Sequence, residues 1–226
     1  MRFKDVFSII GPSMVGPSSS HTAGAVRLGR VARHLFSELP LRVEIIFYGS
    51  FAKTYQGHGT DLAIIGGLLD YETDDARILS SMIMARQAGI DYSFKQGKGQ
   101  FSHPNTVKMI LHAQDSKLTV TGASIGGGNI EIINVDNFDV KFTALYPTLV
   151  IYHMDRPGMI ADVVDVLRRD SINIGHMDLD RLERSGKAMT VIEMDSQISD
   201  ELIREIAALA TVQDVKKVDL TEGRFR

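Results

Sequence analysis

The chain has 226 residues, 44% of them hydrophobic and 23% charged, a composition that suits a folded protein of one or two domains. A net charge of −3 lacks the basic excess of a nucleic-acid binder, and the longest apolar stretch, LAIIGGLL at 62–69, is too short to cross a bilayer. The absence of cysteine excludes disulfides, thiol catalysis, zinc–thiolate sites and any iron–sulfur cluster held by this chain's own sulfurs. In chain order, the opening MRFKDVFSIIG shows neither a long apolar run nor a small-residue cleavage site, so a cytoplasmic protein with no membrane partner is expected. GPSSSHTAG at 16–24 then gathers three serines, a histidine and a threonine between glycines. It reads either as an over-capped helix start or as the floor of a pocket for a small anion. Capping occupies one or two side chains, so the pocket accounts for more of them.

A helix is expected over 22–37, with Leu28, Val31, Ala32 and Leu35 on one apolar face and Arg27, Arg30 and Arg33 solvated off it. RVEIIFYG (42–49) is β-branched and aromatic, a strand ending at glycine. Thr60-Asp61 opens a second helix with a carboxylate suited to its N-terminal dipole, and a third covers 74–88 and stops at Gly89. Strand texture follows at 90–94, 106–114, 117–124, 129–134 and 138–144, with turn chemistry at Asp115-Ser116 and Asp136-Asn137. Residues 1–146 therefore read as an α+β domain, helices on a mostly antiparallel sheet.

Pro147 marks the expected boundary. Beyond it come a strand at 148–155, a helix with Pro157 at its first position and a stripe of Ile160, Val163, Val164 and Leu167, and strands at 172–182 and 187–195 around the loop Glu183–Gly186. A second helix striped by Ile203, Ile206, Ala207 and Ala210 and a strand at 215–221 complete a βαββαβ order, the ferredoxin-like pattern.

That order, with Asp155-Arg156-Pro157-Gly158 at its first strand–helix junction, resembles an ACT domain over 147–226. In such domains this junction often meets an amino-acid ligand between two copies. The resemblance implies an effector site at Asp155 and Gly158, Asp155 taking an ammonium and the helix N–H groups a carboxylate. The plainer reading is that Asp155 caps and Pro157 starts the helix. A homodimer through this domain is expected.

Four segments of the first domain join glycine or proline to polar side chains: GPSSSHT (16–22), GSFAKTYQGHGTD (49–61), SHPNT (102–106) and SIGGGN (124–129). They carry His21, His58 and His103, three of the seven histidines. In kind and order they resemble the beta subunit of the iron–sulfur-dependent L-serine dehydratases, whose two-subunit form carries an ACT domain here. The domain is also similar to the allosteric substrate-binding domain of some phosphoglycerate dehydrogenases. The resemblance implies a lyase that converts L-serine to pyruvate and ammonia, with a [4Fe–4S] cluster bound by cysteines of a partner alpha subunit. No metal site is expected on this chain.

Within that frame Ser18, Ser19, Ser20 and Thr22 would cradle the substrate carboxylate at a helix N-terminus. Histidine titrates nearest working pH, so it is the natural base. His58, between two glycines, is favoured, with His21 and His103 as alternatives. Asn105 can donate and accept, which suits holding the substrate's amino or carboxylate group. Lys53 either adds positive charge nearby or is simply solvated. His34, His112, His153 and His176 fall within predicted elements and read as structural. A second function stays open: a regulatory binder in which both domains sense an amino acid without catalysis.

Overall fold

The structure, a computed structural model, describes residues 13–99 and 101–221; the opening stretch inspected for a leader lies outside them. The chain forms two compact units, the first ending at Asp136 and the second beginning at Asn137.

In the first unit a π-helical turn, Ser19–Ala23, leads into α1, Gly24–Phe36. The helix expected over 22–37 thus starts earlier and in a wider turn, because the Ser18 hydroxyl accepts from His21 N–H and fixes the entry. Next come β1 (Arg42–Phe47), α2 (Gly49–Thr54) and α3 (Thr60–Leu68). The helix expected over 74–88 is split into a 3-10 turn, Ala76–Ser80, and α4, Ser81–Gln87. The Asp75 carboxylate caps that turn through Arg77 N–H. Four strands follow: β2 (Asp91–Gln96), β3 (Thr106–His112), β4 (Lys117–Gly126) and β5 (Asn129–Val135). The sheet order is β2-β1-β3-β4-β5, with β1 and β2 parallel and the other pairs antiparallel.

The α1 stripe of Leu28, Val31, Ala32 and Leu35 is buried as its spacing predicts. Arg30 is not solvated. Only 5% exposed, it pairs with Asp70 at 2.9 Å and Glu72 at 2.7 Å. Arg27 is also engaged, donating to the Gly128 carbonyl at 2.8 Å. These contacts show how α1 lies against α3. Thr22 meets His58 just ahead of both helices, Gly29 meets Ile64 and Gly67 mid-way, and Arg30 and His34 meet Asp70 just beyond the end of α3. The two helices run side by side in the same direction, so both N-termini lie at one end.

The second unit contains β6 (Thr148–Met154), α5 (Met159–Arg169), β7 (Ile174–Arg181), β8 (Lys187–Met194), α6 (Asp200–Ala207) and β9 (Val212–Val218). Its antiparallel sheet runs β7-β8-β6-β9, the ferredoxin-like arrangement that the ACT resemblance implies. Leu149, Ile151 and Ile192 of the sheet pack with Val163 and Leu167 of α5 and Leu202 and Ile206 of α6. Gly158 is the N-cap of α5, so Pro157 sits just outside the helix and not at its first position.

Residues 138–144 are not a strand of the first sheet. They belong to the second unit, where Asp139 N–H donates to Asp180 and Lys141 N–H to Asp178, each at 2.8 Å. The N–H groups of Thr143 and Ala144 and the Thr143 hydroxyl all donate to one oxygen of Glu193. Side-chain carboxylates take the place of a neighbouring strand's carbonyls. The unit therefore begins ten residues before the boundary expected at Pro147.

Candidate functional site

The four polar segments of the first unit meet at the shared N-terminal end of α1 and α3. In the π-helical turn the His21 ring is held on both edges, Nδ1 lying 3.4 Å from Ser18 Oγ and Nε2 3.5 Å from Ser50 Oγ. Its face lies 4.7 Å, centroid to centroid, from the His58 ring, and Phe51 packs edge-on against it. Burial first, and then the charge of His58, hold His21 below the usual imidazole range. His58 sits on the turn between α2 and α3, with Nδ1 facing the Thr54 carbonyl at 3.3 Å. The Thr22 hydroxyl donates to the His58 carbonyl at 3.5 Å, tying the first segment to the second.

The third segment closes on the second through its backbone. Pro104 O accepts from Ser50 N–H at 2.7 Å. A β-carbon at Gly49 would stand 2.4 Å from that oxygen, and Gly49 has φ of 57°, so only glycine fits. The fourth segment divides. Gly127 and Gly128, both at positive φ, make the tight β4–β5 hairpin, and only Ser124 reaches the site. Ser124 N–H donates to the Asn105 carbonyl at 3.0 Å, and the Ser124 hydroxyl lies against Gly24 at the start of α1. Among the described residues, Asn105 Oδ1, Ser124 Oγ and Thr60 Oγ1 are buried with no hydrogen-bond partner. Buried polar atoms left without a partner call for an explanation, and a ligand's own donors are one.

The sequence-derived candidates sort accordingly. His21, His58 and Ser18 come together here, and Asn105 joins them through its backbone bond to Ser124. Ser19 and Ser20 are half-buried at the helix start, and their hydroxyls make no hydrogen bond among the described residues. Thr22 is buried, 2% exposed, and serves as a strut between segments more than as a donor open to a ligand. His103 turns back on its own loop, its Nδ1 accepting from Asn105 N–H at 3.2 Å, and among the described residues it contacts neither His21 nor His58. Lys53 is exposed on α2. Sequence reasoning passed over Ser50 and Ser124 and read Asp61 only as the start of a helix. All three lie inside the quoted segments, and Asp61 is half-buried at the start of α3, its carboxyl raised by burial against the pull of nearby N–H groups.

In the second unit Asp155 is already engaged, accepting from Arg181 at 2.9 Å and from Ser185 N–H at 3.1 Å. Arg156 reaches across the start of α5 to Asp162 and Thr211. His153 is a buried structural histidine bonded to Thr190 at 2.8 Å.

The serine dehydratase beta chain family model matches residues 3–93. The probable L-serine dehydratase beta chain of Bacillus subtilis (strain 168) is 46% identical over 218 residues, covering 96% of this chain and 99% of that one. The chain belongs to the serine dehydratase beta chain family. A second family member, the L-serine dehydratase beta chain of Peptoniphilus asaccharolyticus, is 35% identical over 216 residues, 95% of this chain and 97% of that one. The D-3-phosphoglycerate dehydrogenase of Methanocaldococcus jannaschii is 27% identical over 200 residues, which is 87% of this beta chain but 37% of that enzyme. Serine dehydratase beta chain sequence thus spans both units, and part of it also occurs within a larger enzyme of another name.

Proposed function

We propose that this chain supplies the substrate-binding and base half of an L-serine dehydratase and works with an alpha subunit that carries a [4Fe–4S] cluster. The observation that carries the reading is the contact between His58 Nδ1 and the Thr54 carbonyl. A carbonyl only accepts, so Nδ1 bears the proton and Nε2 keeps its lone pair. An imidazole with a bare Nε2, on a turn flanked by glycines, is a base in the right tautomer to take the weakly acidic α-proton of serine. Loss of that proton and of the β-hydroxide leaves aminoacrylate, which tautomerises to the imine and hydrolyses to pyruvate and ammonia.

The other roles follow from the helix starts. The first-turn N–H groups of α3 are taken by Tyr55 O, Asp61 Oδ1 and Gly59 O, so the substrate carboxylate is assigned to the start of the π-helical turn ahead of α1, where the dipole is positive and Ser19 and Ser20 add hydroxyls unengaged among the described residues. Asn105 Oδ1, a buried acceptor without a partner, is assigned the ammonium. A thiolate-bound cluster does not fit this chain, which has no cysteine, and no step here runs through it. Assistance to the departing hydroxide is assigned to the alpha subunit. Among the described residues no helix is long and apolar enough to cross a membrane, in keeping with a cytoplasmic enzyme.

The second unit is assigned dimerisation with another copy and an effector role. An amino-acid effector at Asp155 and Gly158 has to displace Arg181 from Asp155, so its ammonium competes with a guanidinium already in place. The similarity to a phosphoglycerate dehydrogenase over both units favours a second reading, a regulatory binder without catalysis. Co-expression with the alpha subunit decides between them. The expected result is a complex that releases pyruvate from L-serine; a complex that binds serine without turnover establishes the regulatory reading.

A further inference from the structure

The helix α2 was not foreseen from the sequence, yet it touches both histidines. Ser50, in its first turn, faces His21 Nε2, and Thr54, its last residue, presents the carbonyl that faces His58 Nδ1. The helix is pinned at its first turn, where Ser50 N–H donates to Pro104 O at 2.7 Å, and the Thr54 hydroxyl donates back within it to Ser50 O at 2.8 Å. The Ser50 hydroxyl is therefore presented from a fixed backbone. On the far edge of His21, Ser18 Oγ already accepts from His21 N–H, so its own proton has His21 Nδ1 as the nearby acceptor. That arrangement leaves the imidazole proton on Nε2, facing Ser50. Contacts of 3.4 and 3.5 Å are long, as those of unliganded catalytic sites often are before substrate tightens them.

We propose that Ser50 is a positioning residue for the histidine pair: its hydroxyl accepts from His21 Nε2–H, fixes that tautomer and holds the His21 ring in its tilted contact with His58, 4.7 Å between centroids. The two imidazoles then carry their protons on opposite nitrogens, Nε2 in His21 and Nδ1 in His58. With His21 locked, His58 cannot swing toward it, and the bare His58 Nε2 keeps its direction. The kinetic consequence rests on the dehydratase reading above; the tautomer assignment does not.

The test is imidazole nitrogen NMR of the full-length chain labelled with 15N, at neutral pH, alongside Ser50→Ala and Ser50→Thr. The expected result for the unsubstituted chain is an Nε2–H pattern for His21 and an Nδ1–H pattern for His58. Ser50→Ala should move the His21 nitrogens toward averaged values, Ser50→Thr should restore them, and the signals of His34, on α1 of the same unit and paired with Asp70, should stay in place as a fold control. A proton on His21 Nδ1 in the unsubstituted chain overturns the proposal without any variant being needed. So do His21 shifts that Ser50→Ala leaves unchanged. In the enzyme reconstituted with the alpha subunit, Ser50→Ala should lower kcat roughly ten- to a hundredfold, the scale of a misplaced catalytic group, with KM within about twofold. A fall in kcat without the NMR change removes the brace and leaves the dehydratase reading standing. The NMR change with a reconstituted parent that makes no pyruvate removes the dehydratase reading and leaves the brace.

Discussion

At the scale of single residues, the dehydratase reading proposed above assigns different work to two neighbouring histidines. Burial, and after it the charge of the adjacent His58, keep His21 below the usual imidazole range. Replacing His58 with alanine should lower turnover of the reconstituted enzyme by at least about a hundredfold, the scale of a general base, while leaving association with the alpha subunit intact. Steady-state pyruvate release checks this, and turnover that survives His58→Ala but not His21→Ala or His103→Ala reassigns the base. A second residue prediction concerns Asp70. Burial pushes its carboxyl up, but hydrogen bonds from His34 and Arg30 and their charges outweigh that and bring it down to about 2. A carboxylate depressed in the folded state stabilises the fold above its unfolded value near 4, and that stabilisation is lost as the pH falls from about 4 through about 2. Asp70 is nearly half exposed, so solvent screens the gain. Asp70→Asn should therefore lower the urea midpoint modestly at neutral pH, with the difference from the parent closing toward pH 2. A gap of constant size across that range refutes the linkage.

At the scale of elements, the parallel pair α1–α3 sets up the site and has little room to relax. A β-carbon on Gly67 would stand 2.1 Å from the Val26 carbonyl and 2.8 Å from Arg30 N, while one on Gly29 would meet the Ile64 carbonyl at 2.4 Å. Alanine raises helix propensity by about 1 kcal/mol over glycine. Overpacking against backbone that cannot rotate away costs about 1–3 kcal/mol, so the clash wins. Gly67→Ala should be less stable than the parent in urea unfolding, and a stabilised variant would show that the helices can part at no cost. The stripe of α1 was legible because Leu28, Val31, Ala32 and Leu35 repeat with the helical period over several turns. Helix α2 has six residues, too few for any period to show, and with it went Ser50. The segment 138–144 misled for a different reason. Phe138, Val140, Phe142 and Ala144 are buried alternately, as in a strand, but its N–H groups are met by Asp180, Asp178 and Glu193 side chains. Alternation reports which face is buried and carries nothing about what accepts the backbone hydrogen bonds. The site itself was legible as four polar loops, while the Arg30 and Thr22 burials depended on partners distant in the chain.

At the scale of the whole molecule, the two units join through a segment that belongs wholly to the second. Proline chemistry pointed to Pro147, but the ten residues before it carry four buried side chains and carboxylate contacts from two strands of the ferredoxin-like sheet. A fragment of residues 137–226 should therefore fold alone, whereas one of residues 147–226 should be severely destabilised. Removing the buried Phe138, Val140 and Phe142, the first of them packed on Tyr152 of β6, loses burial at about 1.5–3 kcal/mol per side chain, on the order of 5 kcal/mol together. A unit of this size has a total stability of roughly 5–10 kcal/mol, so the loss takes half of it or more. The shorter fragment also strands Glu193, whose buried carboxylate loses every hydrogen bond the segment gives it. Glu193→Gln in the longer fragment separates the two effects. It keeps the apolar cover and weakens the contact, and should fall between the two fragments in urea midpoint. Circular dichroism and urea unfolding of the three proteins test the ordering. Equal stability of the 137–226 and 147–226 fragments would return the boundary to Pro147 and reduce the preceding segment to a tether.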